Sequence, residues 1–477
     1  MVEIKYTGNN KQQAQLICEN SILLAVREYF SASNPAYRRN RSFSQARIYA
    51  ITPSGKFDVG LLEDIKTYFD TNQIKVKIDE DLFQNYYNGF EKSEIFRFTL
   101  MEYREHQEKS IINALKKGKG VILIPTAGGK TYVIAGLIES IRLNLKRPDA
   151  KALVLVPSLQ LVEQTYKDFE QYGLKSLTKW SGDNKPNFES KTIIAGNQIL
   201  LSEKTDLSIL SKIDILLVDE CHVLRKNNEI NKILRFINTN FKYGFTGTLP
   251  TDKIDQWNIF GKLGPIIYQE KTKDLKDKKY VSNFRIIILN LKHGNIPKFS
   301  INLNKPAEAY QQELDFLLQN ERRNEIICKL SKKLSQNTLI MVDRIEHGVV
   351  IENMLKNLCE KNRPIYFIRG LTEMEERERI RSLMDKRNDV IIVAISKIFS
   401  TGINIPNLHN IIFASAGKAK IKIMQSIGRA LRLHPTKTIA SIFDVADNTK
   451  YGKIHIEERK KLYNSESFNY EEKNIQP

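Results

Sequence analysis

From Phe96 onward, short and nearly continuous apolar runs alternate with amphipathic stretches of helical period. The runs are VILIP (121–125), ALVLVP (152–157), TIIAG (192–196), DILLVD (214–219) and YGFTGT (243–248). The alternation resumes with TLIMVD (338–343), PIYFI (364–368), DVIIVAI (389–395), HNIIFAS (409–415) and TIASIFDV (438–445). A strand whose successive residues are all apolar is covered on both faces, and intervening helices supply the cover. The fold class is therefore α/β, and the two series predict two parallel-sheet lobes in tandem.

The start of the chain reads differently. Ser21–Phe30 (SILLAVREYF) has helical apolar spacing, Arg47–Ile51 alternates as a strand does, and Val59–Phe69 is helical again, with Gly55 marking a turn. This predicts a small N-terminal α+β domain over residues 1–88, with the polar, aromatic segment Asp81–Glu94 as its linker. The lobes then occupy 89–285 and 286–455, and 456–477 is left as a C-terminal tail. The Lys-rich stretch KTKDLKDKKY (271–280) lies near the boundary between the lobes.

Composition narrows the class. Of 477 residues, 41% are hydrophobic and 27% charged, which is globular rather than disordered composition. No apolar run approaches the ~18 residues of a membrane helix, and Met1–Asn10 does not resemble a signal peptide. Cys18, Cys221, Cys328 and Cys359 stand far apart without a C-x-x-C pair. That argues against a disulfide scaffold or a zinc site and fits a reducing compartment. The expectation is a cytoplasmic monomer, in the host cytoplasm if the chain is viral, without a membrane partner. The net charge of +19 is unevenly placed: +1 over residues 1–100, +9 over 101–290, +9 over 291–450 and zero beyond. A polyanion touching both lobes accounts for this, because each phosphate neutralised releases counterions. The bland alternative is an AT-rich genome that inflates Lys, Asn and Ile.

Three segments carry chemistry. In VILIPTAGGKT (121–131) a buried strand runs into Thr126, Ala127, Gly128, Gly129, Lys130 and Thr131, and a helical stretch follows. Strand, glycine turn, Lys-Thr and helix form a phosphate cradle: backbone N–H groups face the phosphates, Lys130 adds a point charge, and the Thr131 hydroxyl can ligate Mg²⁺. The sequence departs from G-x-x-x-x-G-K-[ST] in having Ile124 where the first Gly stands. In ILLVDECH (215–222) a second buried strand ends in Asp219 and Glu220. Paired acids there need compensation. Mg²⁺ provides it if Asp219 holds the metal through water and Glu220 orients and deprotonates the attacking water. His222 is either merely exposed or couples the site to a neighbouring loop. In MQSIGRALRLH (424–434), Gln425, Arg429 and Arg432 share one helical face. Two arginines on a helix are usually a solvated face. Here they could neutralise transition-state charge at a phosphate site on the other lobe, an effect of about 10³–10⁵ in rate for an arginine finger.

PTAGGKT, VPSLQLVEQ (156–164), DECH, TGT (246–248), FSTGINIP (399–406) and QSIGRALR (425–432) resemble, in order and spacing, the motifs of superfamily 2 helicases. The resemblance covers about residues 97–450 and implies RecA-like lobes, ATP and Mg²⁺ as cofactors and nucleic acid as partner. EYFSASNPAYRRNRSF (28–43), FDVGLLEDIKTYF (57–69) and FSTGI…NLHNIIFA (399–414) are similar to the phage UvsW helicases, a family that remodels branched DNA in recombination and replication. By motif, Arg104 and Gln107 match an adenine-recognising segment, and Thr246 and Thr248 match the element linking hydrolysis to movement. Pro157, Ser158, Gln164, Asn197 and Gln198 match nucleic-acid contacts, and Ser400, Thr401 and Gly402 a phosphate contact of the second lobe. Asn404 replaces the Asp that bonds the nucleotide ribose, leaving an amide without the charge.

Arg38, Arg39, Arg41 and Arg47, with Tyr37 and Phe43 among them, lie in a stretch free of acids from Tyr29 to Phe57. Aromatic residues interleaved with cations suit a DNA-junction contact better than a solvated loop. The expected activity is an ATP-dependent DNA helicase or translocase acting on forks, Holliday junctions or D- and R-loops. The alternatives are an RNA or RNA–DNA hybrid helicase, the motor of a restriction enzyme, and an ATPase-inactive scaffold. The missing D-E-A-D box weighs against RNA, and the intact motif residues weigh against the scaffold.

Overall fold

The computed structural model describes residues 1–476 apart from 9–10, 35–36, 38–45, 183–185, 203–204, 227, 295, 298–305, 360–361, 371, 397–404, 406, 415–422, 425, 429–432 and 436. The described chain falls into two compact units, Met1–Ile124 with Gly129–Glu270, and Pro125–Gly128 with Lys271–Pro477.

In the first unit the apolar runs form β7 (Lys119–Leu123), β8 (Ala152–Val156), β10 (Thr192–Gly196), β11 (Ile215–Asp219) and β12 (Phe241–Thr246). Shorter edge strands are β9 (Leu177–Trp180) and β13 (Ile266–Gln269). Together they make a seven-stranded sheet of order β13-β7-β12-β11-β8-β10-β9, and its registered pairs are parallel. Side chains alternate between its faces. Ile122, Val154, Leu217 and Phe245 enter one core, whereas Val121, Leu153, Leu155 and Val218 enter the core opposite. This is why the runs carry no polar alternation.

The N-terminal residues build a four-stranded sheet of order β5-β2-β1-β6 from β1 (Val2–Tyr6), β2 (Gln13–Ile17), β5 (Lys56–Asp58) and β6 (Val76–Ile78). A separate ribbon pairs β3 (Ser31–Ser33) with β4 (Arg47–Tyr49). The expected helices form at Asn20–Tyr29 and Leu62–Thr71, the second entered through a 3₁₀ turn at Val59–Leu61. The expected boundary at residue 88 does not separate two bodies. Trp257 and Phe260 of the helix Lys253–Leu263 pack into the N-terminal core, with the Phe30 and Trp257 rings 5.4 Å apart. A side chain at Gly60 would collide with the Phe260 carbonyl, so the backbones touch. Lys262 and Asp58 close the contact with a 2.7 Å ion pair. The expected linker is also corrected, because Glu80–Tyr86 is a helix capped by Asp79 that buries Leu82 and Tyr86 in the same core.

The second unit repeats the plan with β14 (Asn283–Leu291), β15 (Thr338–Val342), β16 (Ile365–Ile368), β17 (Ile391–Ile395), β18 (Asn410–Phe413), β19 (Ile439–Asp447) and β20 (Tyr470–Ile475). Their order is β16-β17-β15-β18-β19-β14-β20, again with parallel registered pairs. Two expectations change here. The division falls at Glu270/Lys271 rather than at 285, since Leu275 and Val281 already belong to the second core. Residues 456–477 are not a free tail: the helix Lys450–Ser465 buries Ile456, Leu462 and Tyr463, and β20 pairs with β14 from Tyr470 to Ile475. Among the described residues no helix is long and apolar enough to cross a membrane.

Candidate active site

The chemistry-bearing residues of the first unit follow the carboxyl ends of neighbouring strands, where open parallel sheets form their ligand crevice. Thr246 ends β12 opposite Leu123 of β7, and Asp219 ends β11 opposite Phe245 of β12. Lys130 opens the helix Lys130–Leu145 that follows β7.

Gly129 caps that helix with φ +81°, a left-handed conformation that L side chains rarely adopt. A Cβ there would also strike Nε2 of Gln107. Gln107 is buried, and its Oε1 accepts a 2.9 Å bond from the Arg104 backbone N–H. That bond fixes the amide so that its nitrogen faces the glycine. Ala127 is left-handed as well, at φ +71°. Tyr103 is turned to structure: its hydroxyl donates to the Phe96 carbonyl at 2.9 Å, and its ring lies 4.9 Å from that of Tyr132.

Lys130 Nζ stands 3.5 Å from Glu220 Oε1 and 3.5 Å from the Ile124 carbonyl oxygen, in a pocket that leaves its side chain only 10% exposed. Glu220 holds φ +49°, an unusual conformation for a residue with a Cβ. Its N–H donates to Asp219 Oδ1 at 2.9 Å. Its other oxygen, Oε2, lies 3.2 Å from His222 Nδ1 and 3.3 Å from the Thr246 hydroxyl. His222 and Thr246 are themselves 2.9 Å apart, and Thr246 Oγ1 lies 2.9 Å from the Thr248 carbonyl oxygen. With the proton on Nδ1, His222 donates to the Thr246 hydroxyl, which in turn donates to the Thr248 carbonyl oxygen. Lysine, glutamate, histidine and both threonines thus form one continuous polar chain. His222 is buried, so it is not the merely exposed residue that one reading of its sequence position allowed.

Burial pushes the Asp219 carboxyl above its ordinary value, and the neighbouring Glu220 charge pushes the same way against the pull of Lys130. Such a site gains from a cation. No cluster of three or more His, Cys, Asp or Glu side chains among the described residues forms a metal cage. The Asp219 carboxylate suits Mg²⁺, which keeps most of its waters and takes one or two carboxylates with substrate phosphates.

The expected nucleic-acid residues of the first unit also gather along this edge. Val156 of β8 pairs with Gly196 of β10, so Pro157–Ser158 and Asn197–Gln198 leave adjacent strands side by side. Ser158 caps the helix Leu159–Tyr172, accepting from Leu161 N–H at 3.4 Å, and Gln164 lies on that helix. The side-chain oxygen of Asn197 and the hydroxyl of Thr248 are buried without a hydrogen-bond partner. Arg38, Arg39, Arg41, Ser400, Thr401, Gly402, Asn404, Gln425, Arg429 and Arg432 lie outside the described residues. Sequence reasoning missed the link from His222 through Thr246 to Glu220; the signal for it was the polar pair TGT closing an apolar strand.

Two family models match the chain: "Type III restriction enzyme, res subunit" over residues 98–251 and "Helicase conserved C-terminal domain" over 322–434. The ATP-dependent DNA helicase uvsW of Enterobacteria phage T4 is 28% identical, over 99% of this chain and 100% of its own. A DNA 3'-5' translocase, XPB2 of Sulfurisphaera tokodaii, is 22% identical over 77% of this chain and 85% of its own. Among solved structures, a putative HsdR subunit fragment of a type I restriction enzyme from Vibrio vulnificus matches with TM-score 0.59 and 16% identity, over 86% of this chain and 73% of that one, a likeness of fold alone. With two parallel-sheet lobes, a restriction-enzyme subunit match on the first, a helicase match on the second and the Lys130–Glu220 site between strand ends, the chain is a nucleic-acid-dependent ATPase that resembles the superfamily 2 helicases and phage UvsW.

Proposed function

We propose that the chain is an ATP-dependent DNA helicase or translocase that remodels branched DNA. The observation carrying this reading is end-to-end similarity to a DNA helicase, N-terminal domain included, in a chain that keeps the lysine–glutamate–histidine–threonine site. Lys130 and the backbone N–H groups of residues 126–131 hold the β- and γ-phosphates of ATP. Gln107, set by the Arg104 backbone, contributes to adenine recognition. Thr131 and Asp219 hold hydrated Mg²⁺, which neutralises phosphate charge. Glu220 orients and deprotonates the attacking water, and its bonds to His222 and Thr246 report its state to Thr248. Pro157, Ser158, Gln164, Asn197 and Gln198 contact the nucleic-acid backbone. The second-lobe roles rest on Ser400, Thr401, Gly402, Asn404, Gln425, Arg429 and Arg432, and junction preference on Arg38, Arg39 and Arg41.

The test is ATPase stimulation by single-stranded DNA, forked DNA, a four-way junction and RNAs of matched length. Forked and four-way DNA should stimulate most, and RNA several-fold less. Equal or greater stimulation by RNA would replace this reading with an RNA or hybrid helicase.

A further inference from the structure

At the opposite end of the first unit's sheet, away from Lys130, the strands begin rather than end. There a cavity of about 560 Å³ opens between the N-terminal domain and the strand starts. Cavities of this volume take one small molecule. Its walls carry Lys11, Lys119, Arg147, Lys212, Lys242 and Lys262 against two carboxylates, Asp58 and Asp214. Both acids are already engaged, Asp58 with Lys262 at 2.7 Å and Asp214 with Arg147 at 2.9 Å.

The central pair is Lys119 and Lys242. They are register partners on neighbouring parallel strands β7 and β12, so their side chains leave the same face of the sheet side by side. Like charges placed opposite one another destabilise a sheet. They also stand where the flanking positions are Val121, Leu216 and Leu263, all buried apolar residues. Lys119 finds partial compensation: its ammonium donates to the Asn85 carbonyl at 3.1 Å and lies 4.9 Å from the centre of the Tyr86 ring. Lys242 makes no hydrogen bond or ion pair among the described residues. Burial, reinforced by the charges of Lys119 and Lys262, lowers its ammonium to about 7. Burial alone lowers that of Lys119 to about 8. Two half-buried cations placed side by side are what an anion would relieve.

We propose that this cavity binds a small phosphate anion of one or two phosphate groups, held by Lys242 and Lys119 with Lys262 at its flank. The chemistry is that of phosphate oxygens meeting ammonium donors in a low-dielectric recess. A free anion fits a cavity of this size lined by the paired lysines, whereas the backbone of a duplex is carried on a wide cylinder. Because Lys11, Gln12 and Asp58 come from the N-terminal domain and the paired lysines from the lobe's sheet, an occupant would tie the two together.

The probe is inorganic pyrophosphate, titrated calorimetrically in metal-free buffer into the full chain and four variants. The expected result is binding that survives Lys130→Ala and weakens about tenfold or more in Lys242→Met and Lys119→Met, with DNA-stimulated ATPase unchanged in the last two. Methionine keeps the stem and removes the charge, and Lys242→Arg, which restores it, should bind like the parent. No binding to the parent chain, or binding lost with Lys130→Ala and untouched by Lys242→Met, would overturn the proposal. So would full displacement of pyrophosphate by a short DNA duplex, which would give the site to the nucleic-acid backbone.

Discussion

At the scale of single residues, Glu220 is the most constrained group in the first lobe. Its backbone is left-handed, one carboxylate oxygen faces Lys130, and the other faces His222 and Thr246. Unusual backbone conformations persist where surrounding structure fixes them, and they gather at functional sites. A glutamate serving as base must lose its function when its charge goes, while its shape can stay. Glu220→Gln preserves an oxygen for the His222 and Thr246 bonds. It should leave ATP binding intact and reduce turnover by about 10²–10⁴. Nucleotide binding measured beside steady-state hydrolysis separates the two effects; normal turnover in this variant would remove Glu220 from the chemistry. Lys130→Ala should act earlier, abolishing turnover through loss of the phosphate clamp while DNA binding in gel shifts survives.

At the scale of elements, the turn before the helix Lys130–Leu145 depends on Gly129 for two reasons, its positive φ and the approach of Gln107. Gly129→Ala should therefore cost about 1 kcal/mol or more of local strain and displace Gln107. The expected readout is weakened ATP binding, measured by nucleotide titration, with unchanged far-ultraviolet circular dichroism. Unaltered affinity would separate the turn from the nucleotide. A second element-level device lies in the other unit. There Asp447, at the end of β19, is held by Arg323 Nε at 2.9 Å and by His293 Nε2 at 2.9 Å, all buried. Burial alone would raise this carboxyl, but the Arg323 charge and the His293 bond hold it down to about 2. A folded value below the unfolded one of about 3.9 means stability that is present above that pH and lost as pH falls through about 2. Asp447→Asn should cost about 3–5 kcal/mol at pH 7 by leaving Arg323 buried and unpaired. The gap between parent and variant in urea unfolding should close on acidification from pH 4 toward 2; a constant gap would assign the loss to packing.

The same scale shows what could be read from the chain. Strands buried on both faces announce themselves as unbroken apolar runs, so nine of the ten interior strands of the two sheets were legible, all but β14, together with the edge strand β16. The other edge strands were not: β20 reads YEEKNI and β9 reads LTKW, because one margin is open and their side chains need not be apolar. Strand β14, NFRIIILNL, is as apolar as any, yet it sat across the expected lobe boundary and was divided by it. The helix Glu80–Tyr86 was masked by a polar, aromatic composition that resembles a linker, although Leu82 and Tyr86 carry its helical spacing inward. In the site, the residue types were visible in their motifs. The bond joining His222 to Thr246 was not, since strand pairing rather than sequence brings together residues 24 positions apart.

At the scale of the whole molecule, charge carries the argument. Of the net +19, the stretches 101–290 and 291–450, which correspond closely to the two sheets, carry +18, while the N-terminal hundred residues carry only +1. Lysines are frequent in the last 27 residues as well, but acids balance them there, so the uncompensated positive charge falls on the stretches that build the two sheets. These are also the two parts that bear the family matches. If DNA binding is driven by this charge, its free energy is largely that of released counterions, and affinity must fall with salt on a logarithmic scale. For about six phosphate contacts the association constant should drop about 10³-fold between 50 and 200 mM salt. Fluorescence anisotropy of a labelled forked duplex across that range measures the slope directly. A shallow slope, equivalent to about one contact, would mean that the lobes' excess charge faces away from the DNA. Binding would then have to come from stacking and hydrogen bonds to bases, which salt leaves almost untouched.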